Sequence, residues 1–182
     1  MKAIVFDRAG EPDQVLRLDD VSEPEPRAGE QLVRLTARPI HPADLSFIRG
    51  QYRIRPSLPQ VAGLEGIGVV LGRGRTGPFA PGTRVAFRWP GSWAEVSAVP
   101  EHRLITVPAV IRSQSPGSTS ASSRRLATRP PGALPSVIAG LWALIRQGAL
   151  SLPIDSTFAL SAFREALAAD GRRGRQGKVL LT

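Results

Sequence analysis

Cysteine is absent from all 182 residues, which excludes disulfides, thiol nucleophiles and cysteine-rich zinc sites and leaves the redox compartment unreadable. Imidazoles are scarce as well. His41 and His102 are the only two, far apart and without the i, i+4 spacing of helical ligand pairs, so a three-ligand catalytic zinc is not expected. No apolar run approaches the roughly 20 residues of a membrane-spanning helix. Met1 leads straight into Lys-Ala-Ile-Val-Phe, a strand pattern with no signal-peptide core, so the cytoplasm is the expected compartment and no membrane partner is expected. A Gly-x-Ser-x-Gly elbow is missing too, although residues 113–123 are rich in serine, and this argues against a serine hydrolase.

Carboxylates are unevenly missing. None occurs from His102 to Ile154, a stretch holding Arg103, Arg112, Arg124, Arg125, Arg129 and Arg146, whereas the first thirty residues carry eight carboxylates against four bases. The net charge of +9 is therefore concentrated late in the chain, and 22 arginines against 2 lysines mark a compositional bias as much as a choice of phosphate contacts. No helix-turn-helix, zinc finger or aromatic-basic interleaving accompanies the charge, so no specific nucleic-acid partner is expected.

What is present is β structure first. Strands are expected at Lys2 to Phe6, Leu16 to Asp20, Gln31 to Ala37, Leu64 to Leu71, Gly82 to Phe87, Ser92 to Pro100 and Arg103 to Val107. A short helix, Ala43 to Arg49, has Pro42 at its first turn and Gly50 after its end. Short strands punctuated by glycine and proline describe a mainly β fold with a few helices, a partly open β-barrel. From Arg112 to Pro131 the chain reads as a Ser/Arg/Pro-rich linker whose apolar content cannot offset the entropy of ordering it. Beyond it, Leu134, Val137, Ile138, Leu141, Trp142, Leu144 and Ile145 recur at helical spacing up to Gly148. A strand from Ser151 to Phe158, a helix from Ser161 to Ala169 and a strand from Lys178 to Thr182 follow, with Ser161 in an approximate capping box.

Gly72-Arg-Gly-Arg-Thr-Gly77 satisfies G-x-G-x-x-G, but Pro78, Pro81 and Gly82 follow it where a dinucleotide site requires a helix. It is expected to be a strand connection. Trp89 and Trp93 flank Pro90-Gly91-Ser92, where they either line an apolar pocket or pack the end of the barrel.

His41-Pro-Ala-Asp-Leu, Arg49-Gly-Gln-Tyr52, Leu58-Pro, Gly63-Leu-Glu-Gly-Ile-Gly68 and Pro81-Gly-Thr-Arg-Val85 occur in an order and spacing that resemble a known family. So do Phe158-Ala-Leu-Ser-Ala-Phe-Arg-Glu-Ala-Leu167 and Gly177-Lys-Val-Leu-Leu181. That family is the zinc-independent medium-chain dehydrogenase/reductases, the quinone oxidoreductases and enoyl-thioester reductases. The resemblance implies a GroES-like catalytic barrel over 1–111, completed by the strand-helix-strand within 132–182, with 112–131 standing where the family inserts its nucleotide-binding domain. A single βαβ unit takes about 30 residues or more, so that domain does not fit. The family uses NADPH, and no cofactor is expected to bind this chain. Where zinc-dependent relatives have Gly-His-Glu, this chain has Gly63-Leu64-Glu65, and leucine cannot ligate.

The resemblance makes Tyr52 the catalytic candidate, a phenol able to donate to a developing enolate. It makes His41, which stands where the family usually has Asn, and Asp44 substrate-binding candidates, and Trp89 and Trp93 join them as aromatics able to line a pocket. Asp44 is equally suited to stabilise the first turn of its helix, and Glu65 to make structural bonds beneath the cleft. Two functions remain open: an oxidoreductase-like protein without autonomous hydride transfer, or a cofactor-independent module for a hydrophobic ligand or protein partner. The helix from Leu134 to Gln147 would lose its usual neighbour, so its apolar face is expected to meet a second copy or another protein.

Overall fold

The computed structural model describes residues 1–72, 77–108, 134–147, 149 and 153–182. The expected linker, 112–131, lies outside the described residues.

Lys2–Phe6 forms β1, a strand buried on both faces from Ala3 to Phe6. It pairs antiparallel with β2 (Arg17–Asp20) and β4 (Gln60–Val61) in a small sheet of order β2-β1-β4. A four-residue helix, α1 (Pro12–Val15), precedes β2. The long strand β3 (Glu30–Pro39) is the hub of the second sheet. β5 (Glu65–Val70) pairs with it antiparallel across a register shift between Leu35 and Ala37, and β6 (Arg84–Arg88) and β8 (Leu104–Thr106) extend that side. β7 (Val96–Pro100) pairs with residues 30–34 of β3.

The last two residues of β3 pair with the end of the chain. β10 (Lys178–Leu181) sets Leu180 against Pro39 and Leu181 against Arg38, and β9 (Ile154–Phe158) joins β10 in parallel. Between β9 and β10 run a 3₁₀ turn, Leu160–Ala162, and a helix, Phe163–Asp170. The remaining helices are α2 (Pro42–Ile48) and α3 (Leu134–Arg146), which makes the C-terminal helix α4. Both sheets stay open, so the fold is mainly β with a few helices.

One core joins the two parts of the chain. Ile4, Phe6, Leu16, Ile40, Phe47, Ile48, Ala62 and Trp93 pack in the same cluster as Leu160, Phe163, Ala166, Ala169, Val179 and Leu181. Arg164 reinforces the join by donating to the carbonyls of Asp13 (2.8 Å) and Leu16 (3.1 Å). A chain ending at residue 152 is therefore expected to lose cooperative unfolding, because it uncovers the edge of β3 and half of this core. Equal cooperativity and midpoint for the truncated and full chains in urea would contradict a shared core.

The C-terminal helix departs from expectation at its start. Ser161 belongs to the 3₁₀ turn and caps nothing; Ala162 is the N-cap residue and supplies no side-chain bond. The helix is held instead by burial of Phe163, Ala166 and Ala169 on one face. On α3, Leu141 and Leu144 are 37% and 44% exposed. Among the described residues no helix is long and apolar enough to cross a membrane.

Candidate functional site

Helix α2 starts and stops by local rules that also aim the site. Pro42 occupies the first helical position, and His41 is the N-cap, its Nδ1 accepting from the Ala43 N–H at 3.4 Å. Asp44 closes a capping box by accepting from the His41 N–H at 2.8 Å. At the other end Gly50, at φ +71°, donates to the Phe47 carbonyl while Gln51 donates to Ser46, the paired bonds of a Schellman turn. That turn throws the chain off the helix axis immediately before Tyr52.

Asp44 is fully buried and does more than cap. Its second oxygen accepts from the Leu64 N–H at 2.8 Å, so one carboxyl ties α2 to the segment leading into β5. Burial pushes its pKa up to about 7, against the lowering effect of the two backbone donors. With both oxygens engaged and no exposed surface, Asp44 is a structural clamp and is not available to touch substrate. His41 lies at the edge of this region. Burial first, and then the Lys178 ammonium, hold its pKa below the ordinary histidine value, so the ring is neutral at pH 7. A neutral ring is what Nδ1 needs in order to accept from Ala43.

Trp89 and Trp93 part company. The Trp89 N–H bonds the Leu64 carbonyl, the Gly91 N–H bonds Gly63, and the Trp93 N–H bonds Ala62, so 89–93 runs alongside 62–64. Trp93 turns inward and is fully buried in the main core; it does not line the pocket. Trp89 turns the other way. It lines a cavity of about 370 Å³ together with Tyr52, Ile54, Leu64 and Pro90, and with the guanidinium groups of Arg53, Arg88 and Arg103.

The Tyr52 hydroxyl accepts a hydrogen bond from Arg88, and Arg88 Nε lies 3.4 Å from Glu65 Oε1. The result is a chain of contacts from Glu65 through Arg88 to Tyr52, of which Arg88 and Tyr52 line the cavity. Sequence reasoning found its two ends and missed the centre. The signal was there in β6, where Val85 and Phe87 are buried and Arg88 falls on the opposite face. Arg53 stands 5.8 Å from the Tyr52 ring centre and Arg103 5.8 Å from that of Trp89, so both aromatic walls carry a cation.

Among the described residues no group of three histidines, cysteines or carboxylates could hold a metal ion. The glycine pattern at 72–77 leads into a turn and strand β6, so no helix N-terminus meets a pyrophosphate there. Its flanks are also filled. A Cβ on Gly72 would run into the Pro81 ring, and one on Gly77 into the side chains of Gln31 and Glu101.

Residues 27–109 match the alcohol dehydrogenase GroES-like domain. That is the domain the sequence resemblance implies for the first part of the chain. The mitochondrial enoyl-acyl-carrier-protein reductase of Xenopus tropicalis is 37% identical over 113 residues, 60% of this chain and 32% of that protein. The Arabidopsis thaliana protein of the same name is 38% identical over 92 residues, 50% of this chain and 22% of its own length. The chain thus matches about a third or less of these relatives. Among solved structures, human synaptic vesicle membrane protein VAT-1 homolog-like protein superposes with a TM-score of 0.80 at 18% identity, over 100% of this chain and 97% of that one. The quinone oxidoreductase of Pseudomonas syringae pv. Tomato gives 0.78 at 17% identity, over 99% of each chain. At such identities these two establish the fold alone.

Proposed function

We propose that the chain is the substrate-binding half of a zinc-independent reductase of quinones or enoyl thioesters, acting in the cytoplasm, and that it transfers no hydride by itself. The observation carrying this reading is the Tyr52 hydroxyl on the wall of a ligand-sized cavity, held by Arg88. Because the phenol oxygen accepts from Arg88, its own O–H remains free to donate. A carbonyl oxygen beside it would meet the phenol and the remaining guanidinium N–H groups, donors that strengthen as negative charge builds there.

The lack of autonomous hydride transfer rests on the connection from Arg112 to Pro131, shorter than the roughly 30 residues of one βαβ unit, and on the poor fit of 72–77 to a pyrophosphate. A second reading, a binding module independent of cofactor, is favoured by one observation. Every wall of the cavity comes from residues 52–103, so ligand entry asks nothing of a nucleotide domain.

Fluorescence titration of the tryptophans tests both. An apolar enone is expected to change the emission saturably, whereas NADPH is expected to give no saturable change and no turnover of quinone or enoyl thioester. Saturable NADPH binding with turnover that disappears in Tyr52→Phe would replace both readings with an active enzyme.

A further inference from the structure

We infer that the Tyr52–Trp89 cavity is built for an anionic group carried on an apolar body, a carboxylate or phosphate monoester attached to an aromatic or unsaturated chain. The inference rests on the proposal that this cavity is the ligand site and adds the charge of the ligand.

Three guanidinium groups, Arg53, Arg88 and Arg103, line the cavity, and no carboxylate does. Glu65 offsets only Arg88, at 3.4 Å. Among the described residues neither Arg53 nor Arg103 has an ion-pair partner; each lies instead against an aromatic face, at 5.8 Å from the Tyr52 and Trp89 ring centres. A ring face fixes a guanidinium without using its N–H donors. Those donors are left for a planar or tetrahedral oxyanion, which arginine engages two N–H groups at a time. Like charges gathered around one cavity repel, and an anion among them relieves that repulsion as well as forming the bonds. Ile54, Leu64 and Pro90 provide the apolar remainder of the wall, matching a ligand that is charged at one end only.

Calorimetric titration of the full chain with cinnamate and with its neutral isostere cinnamamide, repeated for phenyl phosphate, tests this. The two anions are expected to bind about tenfold more tightly than the amide, the combined effect of Arg53 and Arg103 as two exposed charge contacts of modest strength. Arg53→Gln and Arg103→Gln should each weaken anion binding about threefold and leave the amide unchanged. Raising sodium chloride from 0.05 to 0.5 M should shrink the preference, since these groups are open to solvent. Comparison of cinnamate with phenyl phosphate tells which oxyanion the site favours. Equal binding of cinnamate and cinnamamide, or a preference undiminished in both arginine variants, would overturn the anionic assignment while leaving the cavity a ligand site. Binding by none of the three probes would overturn both. An anion preference accompanied by NADPH-dependent turnover would keep this inference and reject the proposed function.

Discussion

Replacing Asp44 with alanine is expected to lower the unfolding free energy by about 2–6 kcal/mol, the cost of leaving two buried backbone donors unpaired at about 1–3 kcal/mol each. The donors are the N–H groups of His41 and Leu64, both 2.8 Å from the carboxyl and 23 residues apart in sequence. The same residue should write a pH dependence into stability. Its unfolded carboxyl ionises near 3.8 and its folded one near 7. Between those values the folded state keeps a proton that the unfolded state has released, so stability is greatest below about 4, falls as pH rises towards 7, and levels off above. Urea unfolding of the wild type and Asp44→Asn between pH 4 and 8 measures this. The asparagine variant should lack the descending limb, although it is weaker throughout because its amide offers one acceptor where two are used. Identical slopes for the two proteins would mean that Asp44 keeps its ordinary pKa in the fold.

Gly63→Ala is the second large effect, about 2–5 kcal/mol of destabilisation. Gly63 sits at φ +84°, where a Cβ costs about 1–2 kcal/mol. The new methyl would also overlap the Trp93 ring and the Ser92 hydroxyl, and overpacking of a tight core adds about 1–3 kcal/mol. Trp93 is fully buried and has little room to retreat. Because Gly63 accepts from Gly91, the strain should travel to the Trp89 wall of the cavity, so a loss of ligand affinity should accompany the loss of stability. A variant with an unaltered denaturation midpoint would show that the Trp93 ring moves freely.

Much of the fold was legible because its signals are local. Val85 and Phe87 alternate with the less buried Arg84, Ala86 and Arg88, as in a strand half-buried in a sheet, and Pro42 and Gly50 bracket α2 as helix chemistry requires. Helix α1 and strand β4 were not foreseen, since four residues and two residues are too few for any period to register. Cavity residues were harder. Tyr52 was found through family resemblance, whereas Arg88, Arg53 and Arg103 are three arginines among 22 and carry no distinguishing pattern before the chain folds. Trp89 and Trp93 look alike in sequence. Only the backbone bond from Ile4 to the Trp93 carbonyl, at 2.8 Å, and the bridge between Ala3 and Ala94 draw the second ring into the core. The tie from Asp44 to Leu64 was equally invisible, because a hydrogen bond across twenty residues leaves no trace in spacing.

The pairing of Leu180 with Pro39 and of Leu181 with Arg38 has an architectural consequence. One sheet thus takes strands from both the first forty residues and the last five, and the connection between β8 and β9 lies between two segments that share it. In general a connection between two such segments is cheap to lengthen, since each doubling of a flexible loop costs only about 0.6 kcal/mol of closure entropy. An insertion between β8 and β9 whose own ends lie close together is therefore expected to cost the sheet little stability.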